Sequence, residues 1–108
     1  MCEYIPSPGD VVYLISHNKV NSGNDEKFVV LVISPYIYNA KTGLMLCCPV
    51  TAQIKGYPFE TLIDDNRVAL SDQINTVNWR QQKAVKEMTI PDNSFAEVIA
   101  KTSTLIGG

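Results

Sequence analysis

The sequence predicts a mainly β protein with a C-terminal helix, an α+β arrangement in which a small, strongly bent sheet or partly open barrel is covered by that helix. Three observations predict it. Short runs rich in β-branched and aromatic residues recur between residues 11 and 90, separated by Gly, Pro, Asn and Asp turn signals. After Pro91-Asp92 the apolar residues change to the spacing of one helical face. A length of 108 residues, with 45% hydrophobic and 19% charged, fits one globular domain over residues 1–108 and excludes a disordered, collagen-like or coiled-coil chain.

Taken in order, Val11 to Ile15 follows the turn Pro8-Gly9-Asp10 and reads as the first strand. His17 through Glu26 follows neither hydrophobic period and is too polar to bury, so it reads as a long exposed loop, either a binding loop or a plain connection. The unbroken apolar run Phe28 to Ile33, ended by Ser34-Pro35, is expected to be a central strand buried on both faces. Asn39 to Gly43 then reads as a hairpin-type turn into a second central strand, Leu44 to Val50. Tyr57 to Ile63 and Arg67 to Leu70 are shorter strands around the turn Asp64-Asp65-Asn66, and Val85 to Ile90 is a further strand. Phe95, Val98, Ile99, Thr102, Leu105 and Ile106 mark the helical face, closed by Gly107. Asp92, Asn93 or Ser94 is expected to cap it, with Glu97 completing a capping box with Ser94.

Nine Lys and Arg against eleven Asp and Glu give a formal net charge of −2, so whole-molecule attraction to a polyanion is excluded and any nucleic-acid site must be a local patch. The cysteines Cys2, Cys47 and Cys48 fit neither paired disulfides nor a C-x-x-C motif, which points to reduced thiols in the cytoplasm. Strand alternation places one of the adjacent pair in the core and leaves the other semi-exposed. The Phe28–Ile33 run is far below the ~18 residues of a membrane span, and no basic-then-apolar leader precedes it, so no membrane role is expected.

A single histidine and scattered carboxylates give no metal-ligand spacing, and no P-loop, G-x-G-x-x-G or G-x-S-x-G is present. Three polar clusters remain. Thr51 to Pro58 leaves a buried strand and offers a hydroxyl, the Gln53 amide, the Lys55 cation, a flexible Gly and the Tyr57 ring. It reads either as a polar loop shaped by Gly and Pro or as a site in which Lys55 holds a phosphate and Tyr57 stacks on a base. Asp72-Gln73 after the next strand is a turn or an acceptor for base edges. Trp79-Arg80 is a core anchor or a guanidinium beside an indole over RNA.

Pro8-Gly9-Asp10, Ser34-Pro35-Tyr36-Ile37-Tyr38-Asn39 with Lys41-Thr42-Gly43, Pro49-Val50-Thr51 through Gln53, and Lys55-Gly56-Tyr57-Pro58-Phe59-Glu60 stand in one order with Ala69-Leu70, Asp72-Gln73, Trp79-Arg80 and Leu105-Ile106-Gly107. From about Tyr4 to Gly107 this order resembles the MazF/PemK family of toxins. The resemblance implies an SH3-like β-barrel with a C-terminal helix, a homodimer, and a ribosome-independent endoribonuclease of a type II toxin–antitoxin system. Such an enzyme cuts single-stranded RNA at short sequences and is silenced by an antitoxin whose acidic C-terminal segment fills the RNA groove. The implied reaction needs no metal or other cofactor: the 2′-hydroxyl attacks the adjacent phosphate, leaving a cyclic phosphate and a free 5′-hydroxyl.

Thr51 matches the family's threonine at the end of the strand before the Lys-Gly-Tyr-Pro-Phe-Glu loop. The family's Arg-Pro at the start of the central strand is replaced here by Phe28-Val29. A guanidinium neutralises phosphate and donates two fixed hydrogen bonds, which a phenyl ring cannot do. Lys27 is the nearest substitute, and Lys55 and Arg80 are the other cations assigned to a local basic groove. His17 is either a proton carrier or a solvated surface residue. The resulting assignments are Thr51 and Lys27 as catalytic, and Gln53, Lys55, Tyr57, Asp72, Gln73, Arg80 and His17 as RNA-binding. Three readings follow: an endoribonuclease; a family member that binds RNA or an antitoxin but cleaves poorly; and a small barrel that binds peptides.

Overall fold

The computed structural model describes residues 4–16 and 26–106, with the backbone alone for residues 15, 16, 26 and 27. Within them lie strands β1 (Asp10–Ser16), β2 (Glu26–Val32), β3 (Met45–Thr51), β4 (Glu60–Leu62), β5 (Val68–Leu70), β6 (Asn75–Val77) and β7 (Val85–Thr89), and helices α1 (Tyr36–Thr42) and α2 (Asp92–Leu105). The expected long loop falls on residues 17–25, outside the described residues, and Glu26 already belongs to β2.

The strands form one antiparallel sheet in the order β4-β5-β3-β2-β1-β7, with β6 added to β3. β3 changes partners along its length. Met45 to Cys47 pair with β6, Cys47 to Pro49 with β2, and Val50 and Thr51 with β5. Pro49, which has no N–H to donate, stands beside the change. The bend brings the β4–β5 hairpin round toward β7, where a side chain bridges the gap. Arg67 reaches Asp64 at 2.8 Å and Glu87 at 2.7 Å, linking the hairpin to β7 without a backbone ladder between them. The result is the expected bent, incompletely closed barrel.

Alternation along the central strands feeds two cores. Val11, Leu31, Cys48, Ile63, Ala69 and Ile90 share one face with Val98 of α2. Val12, Leu14, Val30, Val32, Met45 and Cys47 share the other with Trp79. Both thiols are therefore buried, which corrects the expectation that one is semi-exposed: the strand's two sides are both covered, by α2 and by the Trp79 segment. Conversely, β2 is not buried on both faces throughout. Phe28, at the strand's beginning, is 47% exposed.

Asn39 to Gly43, expected as a hairpin turn, is the second half of helix α1 with its C-terminal cap. Pro35 starts it with extended backbone (φ −62°, ψ 149°), and Gly43 ends it in the left-handed region at φ 72°, its N–H returning to the Asn39 carbonyl. The buried Asn39 amide donates to the carbonyls of Pro6 and Ser34, so its polarity is spent inside the protein rather than in a solvated turn. β4 and β5 are shorter than the predicted runs, and β6 carries no apolar pattern that predicts it. In α2 the residue at the cap is Pro91 and no side chain caps the helix. Asn93 instead accepts the N–H of Ser94. Leu105 and Ile106 continue the helical spacing but are exposed, so the buried face ends near Thr102.

Candidate active site at the end of β3

β3 emerges from the core at Thr51, which pairs with Val68 of β5. Because β5 runs antiparallel with Val68 opposite Thr51, its exit carries Leu70, Asp72 and Gln73 beside the stretch of β3 that precedes Thr51. The loop of residues 52–59 folds over the same place. These elements enclose a cavity of about 180 Å³ that gathers Thr51, Gln53, Lys55, Tyr57, Asp72 and Gln73. Phe59, Glu60 and Leu70 complete its wall. The sequence reading missed these three, although Phe59-Glu60 lies in the quoted loop motif.

The loop is held by short local bonds. Thr51 Oγ1 accepts the Gln53 N–H at 3.1 Å, so one lone pair of the hydroxyl is engaged and its proton remains available to an acceptor in the cavity. The Glu60 carboxylate accepts the Lys55 N–H at 3.1 and 3.2 Å and the Gly56 N–H at 2.9 Å. Gly56 has φ 80°, a conformation L side chains rarely adopt, which explains glycine at the loop's apex. The Lys55 ammonium sits 5.9 Å from the centre of the Tyr57 ring, and Tyr57 is 59% exposed. A cation and an open aromatic face are thus presented together.

Lys55 is the one cation among the described residues of the wall, against the carboxylates of Glu60 and Asp72. Behind the wall, burial pushes the Cys48 thiol up to about 12, with the Cys47 and Asp72 charges adding to it, and burial alone raises Cys47 to about 11. Both thiols are protonated at neutral pH and unsuited to nucleophilic work. Among the described residues no group of three or more His, Cys, Asp or Glu is arranged to hold a metal, and no helix is long and apolar enough to cross a membrane.

The other assigned residues lie elsewhere. Arg80 stacks 4.9 Å over the ring of Trp79 and donates to the Ala40 carbonyl at 3.3 Å, at the C-terminal end of α1. It lines a separate cavity of about 250 Å³ with Tyr4, Trp79 and Lys83. Trp79 is 2% exposed and its indole N–H bonds the Asn39 carbonyl at 3.0 Å, so it is the core anchor of the two readings. The Lys27 backbone pairs with Ile15 in the β1–β2 ladder, but its side chain and all of His17 lie outside the described residues. Phe28 faces a third cavity of about 540 Å³, lined also by Val50, Asn75 and Gln82 but not by Thr51.

A bent antiparallel sheet with a C-terminal helix, and an open cavity where a central strand runs into a Lys-Gly-aromatic loop, define a small α+β protein with a candidate site at the end of β3. The chain belongs to the family of PemK-like, MazF-like toxins of type II toxin–antitoxin systems, whose model matches residues 7–105. It is 36% identical to the endoribonuclease toxin MazF of Escherichia coli K12, over 96% of each chain. The MazE–MazF complex of Deinococcus radiodurans superposes with a TM-score of 0.87 at 35% identity, covering 96% of this chain and 98% of that one. MazF of the same organism gives 0.81 at 37% identity, over 97% and 99%. A mycobacterial endoribonuclease solved with its cognate antitoxin shares the fold, with a TM-score of 0.75 at 14% identity and coverage of 94% and 95%.

Proposed function

We propose that this chain is the toxin of a type II toxin–antitoxin pair and acts in the cytoplasm as a metal-independent endoribonuclease on single-stranded RNA. The observation that carries the reading is the convergence, at the end of β3, of Thr51, Gln53, Lys55 and Tyr57 with Asp72 and Gln73, from two separate chain segments, in one open cavity.

In the proposed reaction the 2′-oxygen attacks the adjacent phosphorus and the bond to the 5′-oxygen breaks. A 2′,3′-cyclic phosphate forms; the proton of the 2′-hydroxyl passes to water, and the departing 5′-oxygen takes one from water. Thr51, whose oxygen already accepts from Gln53 N–H, donates its hydroxyl proton to a non-bridging phosphate oxygen. Lys55 opposes the charge that develops there. Tyr57 stacks on a base while Gln53, Asp72 and Gln73 meet base edges. Lys27, whose backbone lies on β2, is the second cation of the proposed reaction. An antitoxin with an acidic C-terminal segment would occupy the same cavity through Lys55, and pairing of two copies would lengthen the groove. The MazE–MazF complexes solved for relatives support that partnership.

A second reading, RNA or antitoxin binding with poor cleavage, is favoured by Phe28. It stands in register with the family's arginine, is 47% exposed, and faces a cavity that Thr51 does not line. Incubation with a long unstructured RNA in EDTA, with mapping of 5′ ends, separates the two. Discrete cuts, slowed on the order of a hundredfold or more by Thr51→Ala, are expected of the enzyme. Intact RNA at enzyme excess selects the second reading, and titration with an acidic antitoxin-like peptide then tests its binding half.

A further inference from the structure

The loop that carries Lys55 and Tyr57 is exposed from residue 52 to residue 58, and the amides at its apex bond to a single side chain. Glu60, the first residue of β4, turns its carboxylate back onto the loop and accepts the N–H groups of both Lys55 and Gly56, at 2.9 to 3.2 Å. Its own N–H donates to the Tyr57 carbonyl at 3.1 Å. Its carbonyl accepts from Lys101 of α2 at 2.7 Å, and Lys101 is held in turn by Glu97 at 2.9 Å. One residue therefore ties the loop apex to the strand and the strand to the C-terminal helix. Gly56 meets no neighbour that a Cβ would touch within 4 Å, so side-chain packing does not hold the apex. The carboxylate does.

A carboxylate in the wall of a cavity that takes a polyanion is unfavourable on charge alone. We infer that Glu60 is a positioning residue for RNA binding: by clamping the Lys55 and Gly56 amides it fixes the ammonium and the Tyr57 ring over the end of β3. This rests on the RNA-binding reading above. Charge satisfied by two backbone N–H groups is directed into the loop rather than toward the ligand, and the clamp outweighs the repulsion that remains.

The two effects of removing the carboxylate have opposite signs, which makes the inference testable. On charge alone Glu60→Ala tightens RNA binding; on loss of the clamp it weakens it. The probe is a fluorescent single-stranded RNA uniformly 2′-O-methylated so that it is not cut. Glu60→Ala is expected to weaken binding roughly five- to tenfold, the net effect of losing one hydrogen bond of ordinary strength in an exposed loop. Glu60→Gln, which keeps one acceptor oxygen, is expected to bind more tightly than Glu60→Ala. In a Lys55→Ala background Glu60→Ala is expected to weaken binding by a smaller factor than it does in the wild type, because only the part acting through Tyr57 remains. On a cleavable RNA KM should rise and kcat should fall as well, because the Lys55 that the clamp positions also opposes the charge developing on the phosphate. Amide hydrogen exchange should quicken at Lys55 and Gly56 in the variant while β3 and β5 stay protected, which shows that the fold is intact. Equal or tighter RNA binding by Glu60→Ala, or full multiplication of the two single effects, overturns the positioning role. Wild-type protein that does not bind the RNA overturns the RNA reading and the role with it.

Discussion

The same motif, a cation lying over an aromatic ring, occurs twice in this molecule with opposite outcomes. Arg80 over Trp79 is locked in place. The indole is buried and bonded to Asn39, and the guanidinium ends on the Ala40 carbonyl of α1. Lys55 over Tyr57 is held only through its backbone, and the ring is open to solvent. Burial decides between the two uses. A ring with both faces covered contributes packing, whereas a ring with an open face is available to a base.

The largest expected effect tests the locked pair. Trp79→Ala should cost about 3–5 kcal/mol of stability, measured by urea unfolding, because it empties the centre of one core cluster and removes the indole's bond to the Asn39 carbonyl. Tyr57→Ala should do the reverse. RNA affinity should fall by about 1–3 kcal/mol while the urea midpoint stays nearly constant. Arg80→Ala sharpens the contrast, with about 1 kcal/mol of stability lost at the end of α1 and RNA affinity unchanged. A fall in affinity matching that of Tyr57→Ala would break it and restore Arg80 to the RNA site.

The smallest effect lies at the barrel seam. The Asn66 N–H, followed by the Arg67 guanidinium, holds the Asp64 carboxyl below its usual value, and Glu87 first and then Asp64 raise Arg67. Because the folded value of Asp64 is lowered, the unfolded chain binds the proton more readily. The stability from this carboxylate is present above the ordinary carboxylate range, near ~4, and is lost as the pH falls through the lowered value. Wild type should therefore exceed Asp64→Asn in melting temperature at pH 7, with the gap closing toward pH 3.

The strands were legible because β-branched runs such as Val11 to Ile15 and Phe28 to Ile33 need no tertiary information. α1 was not, since Tyr36-Ile37-Tyr38 favours strands and Asn39 to Gly43 resembles a turn. The bonds from buried Asn39 to Pro6 and Ser34, made only in the folded chain, reward the helix. Pro35 and Gly43 were its readable punctuation. At the site, the Thr51 to Tyr57 segment was visible as a string of unlike polar groups leaving an apolar strand. Its approach to Asp72-Gln73 follows from β3–β5 pairing. Arg80 was grouped with Lys55 by charge, but Trp79, drawn into the core, carries it to α1. Nothing periodic marks the role of Glu60, since the bonds it makes are local and polar.

β3 has a consequence for how such a protein changes over generations. One seven-residue strand supplies Cys48 to one core, Cys47 and Met45 to the other, and Thr51 to the cavity, and it touches β2, β5 and β6 in turn. A substitution between residues 45 and 51 is judged by several neighbours at once and has little room to drift. The loop of residues 52–59 is exposed over residues 52–58 and sends none of those side chains into either core. Its exposed side chains can be exchanged while the scaffold stands, so a new target sequence can be acquired at the loop without relearning how to fold.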